Sequence, residues 1–171
     1  MAVKRPMIRK FLEDAFTGES RAHMRYLIFA EQAEREGLPG VARLFRAIAY
    51  AEFVHARNHL RALEELGRTE DNLREAVAGE EFEVEEMYPV YKNASELQGE
   101  GDAVRSTRYA LEAEKLHVDL YRNALESVRA DNDVEAGKIY VCPVCGYTVV
   151  GERPDRCPVC GSPGEKFVAF E

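Results

Sequence analysis

Two copies of one short pattern, Glu52-Phe53-Val54-His55 and Glu114-Lys115-Leu116-His117, lie 62 residues apart in segments patterned as helix. At a spacing of three residues, a carboxylate and an imidazole project from the same helix face. Around the first copy that face is apolar, with Val41, Leu44, Phe45 and Ile48 before it and Leu63 and Leu66 after it. A carboxylate in a stripe bound for a core is costly unless something compensates it. A fold for this chain must therefore bring its helices together around a compensating group, and a metal ion suits such donors.

The repeat extends beyond these tetrapeptides. Ala15-Phe16-Thr17-Gly18-Glu19 resembles Ala76-Val77-Ala78-Gly79-Glu80 at an offset of 61 residues. From there the offset is 62, matching Tyr26 to Tyr88, Gly37 to Gly99, Ala51-Glu52 to Ala113-Glu114, and His55 to His117. One residue has been gained between Glu80 and Tyr88. A single insertion inside a continuing helix is what a π-bulge absorbs. The change of offset thus predicts that backbone hydrogen bonding departs from the α pattern between Glu80 and Tyr91.

Apolar residues at spacings of three and four predict four long helices. The first runs from about Lys4 to Glu36 and stops at Gly37-Leu38-Pro39-Gly40. The second runs from about Val41 to Leu66 and ends at Gly67. The third carries Leu73, Val77, Val84, Met87, Tyr91, Ala94 and Leu97, with Pro89 marking a kink. After Gly99-Glu100-Gly101-Asp102, the fourth carries Val104 through Val128. The expected architecture is mainly α: a four-helix bundle over 1–130, a linker over 131–137, and a small metal-bound β/loop domain over 138–171. That last segment is too short to build an adequate core alone, and a bound metal would supply the missing stability.

Each helix places an unusual donor on its expected inward stripe: Glu19, then Glu52 with His55, then Glu80, then Glu114 with His117. Four ionised carboxylates in one core would repel each other and be poorly solvated. Two divalent cations neutralise them, and a Glu from each of two helices with Glu-x-x-His from the other two is the donor pattern of a dinuclear carboxylate site. Carboxylates and imidazoles without thiolate suit iron or manganese. Glu83, three residues after Glu80, can reach the same site, and Glu86 follows at the same spacing, whereas Glu81 and Glu85 point outward. His23 and His59 have no counterparts in the repeat and are assigned supporting or surface roles. Tyr26 and Tyr88 do correspond, and both lie within reach of hydrogen bonds to the ligating glutamates. The same tyrosines also suit core packing.

The cysteines form a second constellation, Cys142-Pro143-Val144-Cys145-Gly146 and Cys157-Pro158-Val159-Cys160-Gly161. Two such turns present four thiolates tetrahedrally, each glycine allowing backbone N–H groups to face sulfur. Spacing alone admits zinc or iron. The association with an oxygen-ligated di-metal bundle favours iron, because a redox centre needs an electron feed. Cysteine confined to a metal site places the chain in a reducing, cytoplasmic compartment. The net charge of -8 gives nucleic-acid binding no electrostatic support. No apolar run approaches the roughly 18 residues of a membrane span. Met1 to Lys10 carries charge without a following signal core, so no secretion signal is expected.

The order of these motifs resembles the rubrerythrin family over essentially the whole chain: Gly18-Glu19-Ser20, Glu52-x-x-His55, Gly79-Glu80-x-x-Glu83 with Glu86-Met87-Tyr88-Pro89, Glu114-x-x-His117, and two Cys-Pro-x-Cys-Gly turns. The resemblance implies di-iron ligation by Glu19, Glu52, Glu80, Glu83, Glu114 and His117. His55 would take one iron in the reduced state as that iron leaves Glu83. It implies a rubredoxin-like iron on Cys142, Cys145, Cys157 and Cys160. The implied activity is a non-haem di-iron peroxidase that reduces hydrogen peroxide to water in oxidative-stress defence, an oxidoreductase fed one electron at a time by its rubredoxin-like iron. Electrons would come from an external rubredoxin or an NAD(P)H-dependent reductase, since the chain has no nucleotide-binding loop. A homodimer is implied, and because some members with short connections exchange helices between subunits, the short loop between helices two and three leaves the connectivity open. The alternatives are a ferritin-like iron-oxidising or iron-storage protein, which has no need of the cysteines, and a zinc-ribbon scaffold, which leaves the inward glutamates unexplained.

Overall fold

The computed structural model describes residues 3–135 and 137–171. The predicted linker spans Ala136, and the N-terminal reading includes Met1 and Ala2; these three lie outside the described residues. The chain divides into two compact units, residues 1–67 and 68–171.

The first unit is a helical hairpin of α1 (Pro6–Arg35) and α2 (Pro39–Leu63). Each helix begins with proline in its first turn, where the missing N–H costs nothing. Past the end of α1, Gly37 takes φ 75° while Leu38 N–H reaches back to the Ala33 carbonyl at 2.8 Å. α2 ends at Leu63, short of the glycine expected to stop it. Glu64 adopts the left-handed conformation, and Arg9 of α1 donates to the Leu63 carbonyl at 3.0 Å while pairing with Glu65. A cation on the last carbonyls of a helix is favourable for its dipole, so a residue from the neighbouring helix sets this end.

The buried stripe also differs from expectation. Ala42, Ala49, Ala56 and Leu63 of α2 are buried, as are Ala30 and Ala33 of α1. Val41, Leu44 and Ile48, expected inside, are exposed, Leu44 by 61%. Small side chains let the two helices approach closely, and the bulky aliphatic side chains are left on outer faces.

The second unit contains α3 (Thr69–Phe82), a π-helical turn at Glu83–Met87, α4 (Tyr88–Gln98) and α5 (Gly101–Arg129). The π turn lies inside the interval where the repeat gains its extra residue, as the shifted offset predicts. Pro89 follows in the first turn of α4, where its ring meets no α-helical hydrogen bond. α3 and α4 both pack on α5.

In the same unit, β1 (Ile139–Val141) lies between β2 (Thr148–Val150) and β3 (Val168–Phe170), antiparallel to both. Ile139 stands opposite Val150 on one side and Phe170 on the other. Cys142, Cys145, Cys157 and Phe167 form the buried centre of this small domain, and Tyr109 of α5 packs against it. The cysteine segment therefore sits directly on the helix that carries Glu114 and His117.

Candidate metal centres

In the first unit, one donor atom each from Glu19, Glu52 and His55 falls within 4.8 Å of the others. Glu19 comes from α1 and the other two from α2, so the hairpin packing brings the three together. The His55 Nδ1 lies 3.1 Å from Glu52 Oε2. Glu52 is 16% exposed and His55 53%, so the imidazole stands at the surface of this unit rather than on its buried stripe. The hydrogen bond between the Glu19 and Glu52 carboxyls, followed by burial, raises the pKa of Glu19. Such a shared proton marks two carboxylates held too close to be ionised together.

The second unit repeats the arrangement. Glu80 of α3 joins Glu114 and His117 of α5 with donor atoms within 4.8 Å. His117 Nδ1 lies 2.6 Å from Glu114 Oε2. Burial first, then the neighbouring Glu114, push the Glu80 carboxyl up to about 7. An imidazole nitrogen and a carboxylate oxygen at that distance need a proton or a cation between them. The crowding of unneutralised donors in both sets is what a divalent ion relieves, so the residues fit a carboxylate-bound metal.

Glu83, on the π turn, stands outside the tight trio, yet Glu114 and His117 both act on its charge. Burial first and then Glu114 raise its pKa, and His117 opposes them. Tyr88 is likewise raised, by burial and then by Glu83, Glu114 and Glu80. The π turn thus places Glu83 and Tyr88 beside one cluster. Tyr26, the counterpart of Tyr88 in the repeat, instead packs with Phe29 and Phe45 at ring separations of 6.3 and 6.1 Å.

Of the other sequence candidates, His23 donates from Nδ1 to the Ala49 carbonyl at 2.7 Å, which ties α1 to α2. Glu81 accepts from Arg122 of α5 at 2.6 Å, and Glu85 and Glu86 are exposed.

The four cysteines also converge, with Sγ separations of 3.6 Å for Cys142–Cys160 and 3.4 Å for Cys145–Cys157. Four sulfurs about 2.3 Å from a tetrahedral ion lie roughly 3.8 Å apart, whereas a disulfide requires about 2.05 Å. Gly146 (φ 79°) and Gly161 (φ 74°) close the two turns, each donating to the carbonyl of the first cysteine in its pair at 3.0 and 2.9 Å. Burial raises Cys145 and Cys160, whereas at Cys157 burial is outweighed by the N–H groups of Cys160 and Val159 and the thiol is lowered. Four sulfurs at these separations suit a thiolate-binding metal, which would replace the protons that burial otherwise keeps on Cys145 and Cys160.

One contact was not legible from sequence. His117 Nε2 lies 3.0 Å from the Thr148 hydroxyl, thirty-one residues away on β2. No periodicity or motif marks Thr148.

Comparison with known proteins assigns both parts. The rubrerythrin family model matches residues 10–125, and the model described as the rubredoxin-like domain of rubrerythrin matches 140–168. The chain is 45% identical to rubrerythrin-2 of Clostridium acetobutylicum, over 99% of this chain and all of that protein. It is 31% identical to nigerythrin of Nitratidesulfovibrio vulgaris, over 93% of this chain and 84% of that one. Among solved structures, partially reduced nigerythrin matches with a TM-score of 0.57 at 30% identity, covering 99% of this chain and 89% of the other. Fully reduced, all-ferrous nigerythrin matches with a TM-score of 0.56 at 29% identity, with the same coverage. A di-iron carboxylate centre and a four-cysteine rubredoxin-like iron fit these donors.

Proposed function

The chain belongs to the rubrerythrin family, and from that premise we propose that it is a cytoplasmic di-iron peroxidase that reduces hydrogen peroxide to water. The observation that carries this reading is the union in one compact unit of a carboxylate–histidine set and a four-cysteine site packed on the same helix, α5. Iron storage requires only the first, and a zinc scaffold only the second.

Glu19, Glu52, Glu80, Glu83 and Glu114 with His55 and His117 would hold the di-iron centre, and Cys142, Cys145, Cys157 and Cys160 the single iron. When bound, the two irons supply the two electrons consumed as H2O2 + 2 e− + 2 H+ gives 2 H2O. The chain's own residues set the conditions for that reaction. Glu114 and Glu52 are held largely out of solvent, so a bound cation would meet little competition from water for their oxygens. Glu83 lies next to the Glu114 and His117 donors with its proton affinity raised by burial, so its carboxyl is placed to carry protons toward reduced oxygen. Tyr88 keeps its phenolic proton beside the same carboxylates and can donate a hydrogen bond. His55, 53% exposed and bonded through Nδ1 to Glu52, would be the ligand exchanged against Glu83.

Electrons would reach the cysteine site from an external rubredoxin or NAD(P)H-dependent reductase. The chain would act as a homodimer, with its helices either retained or exchanged between subunits. Bulky apolar side chains on exposed helix faces, among them Met24, Ile28 and Leu44, support a second copy as their cover. Visible spectroscopy provides the test. Iron-loaded protein should show thiolate-to-iron bands that reductant bleaches and stoichiometric peroxide restores. Peroxide that re-oxidises neither iron site would refute the peroxidase.

A further inference from the structure

Thr148 is a small hydroxyl residue on a three-residue strand, yet it stands between the two metal-binding constellations of its unit. Its Oγ1 lies 2.9 Å from the Gly146 carbonyl and 3.0 Å from His117 Nε2. A carbonyl only accepts, so the single hydroxyl proton of Thr148 is committed to Gly146. Oγ1 must then accept from His117, and Nε2 must carry the proton. The other ring nitrogen, Nδ1, faces Glu114 Oε2, the position where a cation fits. The two hydrogen bonds of one threonine therefore select the tautomer whose Nδ1 lone pair is free for metal.

The contact is built rather than incidental. Gly146 packs beside α5, where a Cβ on it would stand in ordinary van der Waals contact with the Ala113 Cβ, at 3.6 Å. Tyr109, Ala113 and His117 recur at intervals of four residues, so one face of α5 receives the Cys145–Thr148 turn. The repeat holds no counterpart of Thr148, because the strand that carries it belongs to the appended domain.

Resting on the reading of His117 as a metal ligand, we propose that Thr148 is a positioning residue that fixes the Nε2–H tautomer of His117 for metal binding through Nδ1 and couples that ligand to the Cys145–Gly146 turn of the same chain. Such a partner matters because groups behind a ligand orient it and set its basicity.

The test compares full-length wild type with Thr148→Val, which keeps the β-branched shape without the hydroxyl, and Thr148→Ser, which keeps the hydroxyl. Thr148→Ala serves if the valine variant does not fold, and the cysteine-site absorption reports folding in each. In di-ferrous protein, metal-bound histidines give solvent-exchangeable, hyperfine-shifted N–H proton resonances. The valine or alanine variant should lose one of these to rapid solvent exchange and bind Fe(II) at the di-metal site about tenfold more weakly. The serine variant should restore both properties. A resonance that persists unchanged without the hydroxyl overturns the proposal, as does a serine variant indistinguishable from valine. A wild type with no metal-bound histidine N–H resonance removes His117 from the metal and overturns the ligand reading itself, a result separable from the other two.

Discussion

Replacing Gly164 with alanine should cripple the cysteine site while leaving the carboxylate sites intact. Gly164 is buried, and a Cβ built on it would lie 1.9 Å from the Pro154 carbonyl oxygen, 3.0 Å from its carbon and 3.1 Å from the Asp155 carbonyl carbon. The obstacles are backbone, so no rotamer change relieves them. To bring the oxygen contact even to 3.0 Å, the two segments must part by more than an ångström. That movement breaks the Gly164 N–H bond to the Asp155 carbonyl, 2.7 Å long, and disturbs the bridge between Arg156 and Pro163 beside Cys157. Overpacking costs about 1–3 kcal/mol, and a buried donor left without its acceptor costs about 1–3 kcal/mol more. In a small domain whose folding is coupled to its metal, this cost appears as weaker metal binding. At about 1.4 kcal/mol per decade, a loss of about 2–6 kcal/mol corresponds to roughly 30-fold to 20,000-fold in affinity. Chelator competition on protein loaded at the cysteine site measures it, with Gly101→Ala as control, since nothing lies within 4 Å of a Cβ there. A Gly164→Ala variant that retains wild-type metal affinity would refute the steric argument.

Cys157→Ser should abolish multiple turnover of peroxide while a chemically pre-reduced di-iron site still reacts once; sustained turnover would rule out the internal electron feed. Deleting Glu85 from the π turn should return that segment to regular α-helix with α4 still in register on α5, since the π turn is what absorbs the extra residue, while displacing Glu83 from Glu114 and His117 and weakening Fe(II) binding there; wild-type Fe(II) affinity would show the extra residue to be dispensable. Metal-free protein should lose stability as pH rises from about 5 to 8. Glu80 goes from its ordinary 4.5 to about 7 on folding, so its contribution is fully present below the unfolded value and disappears as pH rises through the folded one. Metal loading should flatten that slope, because a cation takes the place of the proton; parallel thermal melts of both forms across this range would decide it.

The π turn was legible because an insertion leaves a trace in a repeat: the offset changes from 61 to 62 between Glu80 and Tyr88, and a helix that continues past an extra residue has few ways to absorb it. The cysteine turns were legible because their spacing and glycines are dictated locally. Burial was not. The stripe pattern cannot tell a face that packs on the adjacent helix from one left for another surface, so Val41, Leu44 and Ile48 looked like core while Ala42, Ala49 and Ala56 did the packing. The end of α2 was misplaced for a related reason, since Arg9 of the other helix determines it.

The deeper limit concerns symmetry. Read as a duplication, the chain offers two equivalent Glu-x-x-His sets. In the folded second unit, Glu83 enters from the π turn and Thr148 from the appended domain, and both act on the set containing His117. His117 is 27% exposed and bonded at both ring nitrogens, whereas His55 is 53% exposed and is bonded at Nδ1 to Glu52. An imidazole held from two sides is suited to remain on one metal through a redox cycle. An imidazole held from one side can leave and return at little cost. The extra residue of the π turn and the appended cysteine domain thus act on the same half of the duplication, and on the proposed reading they would make His117 the fixed ligand and His55 the exchangeable one.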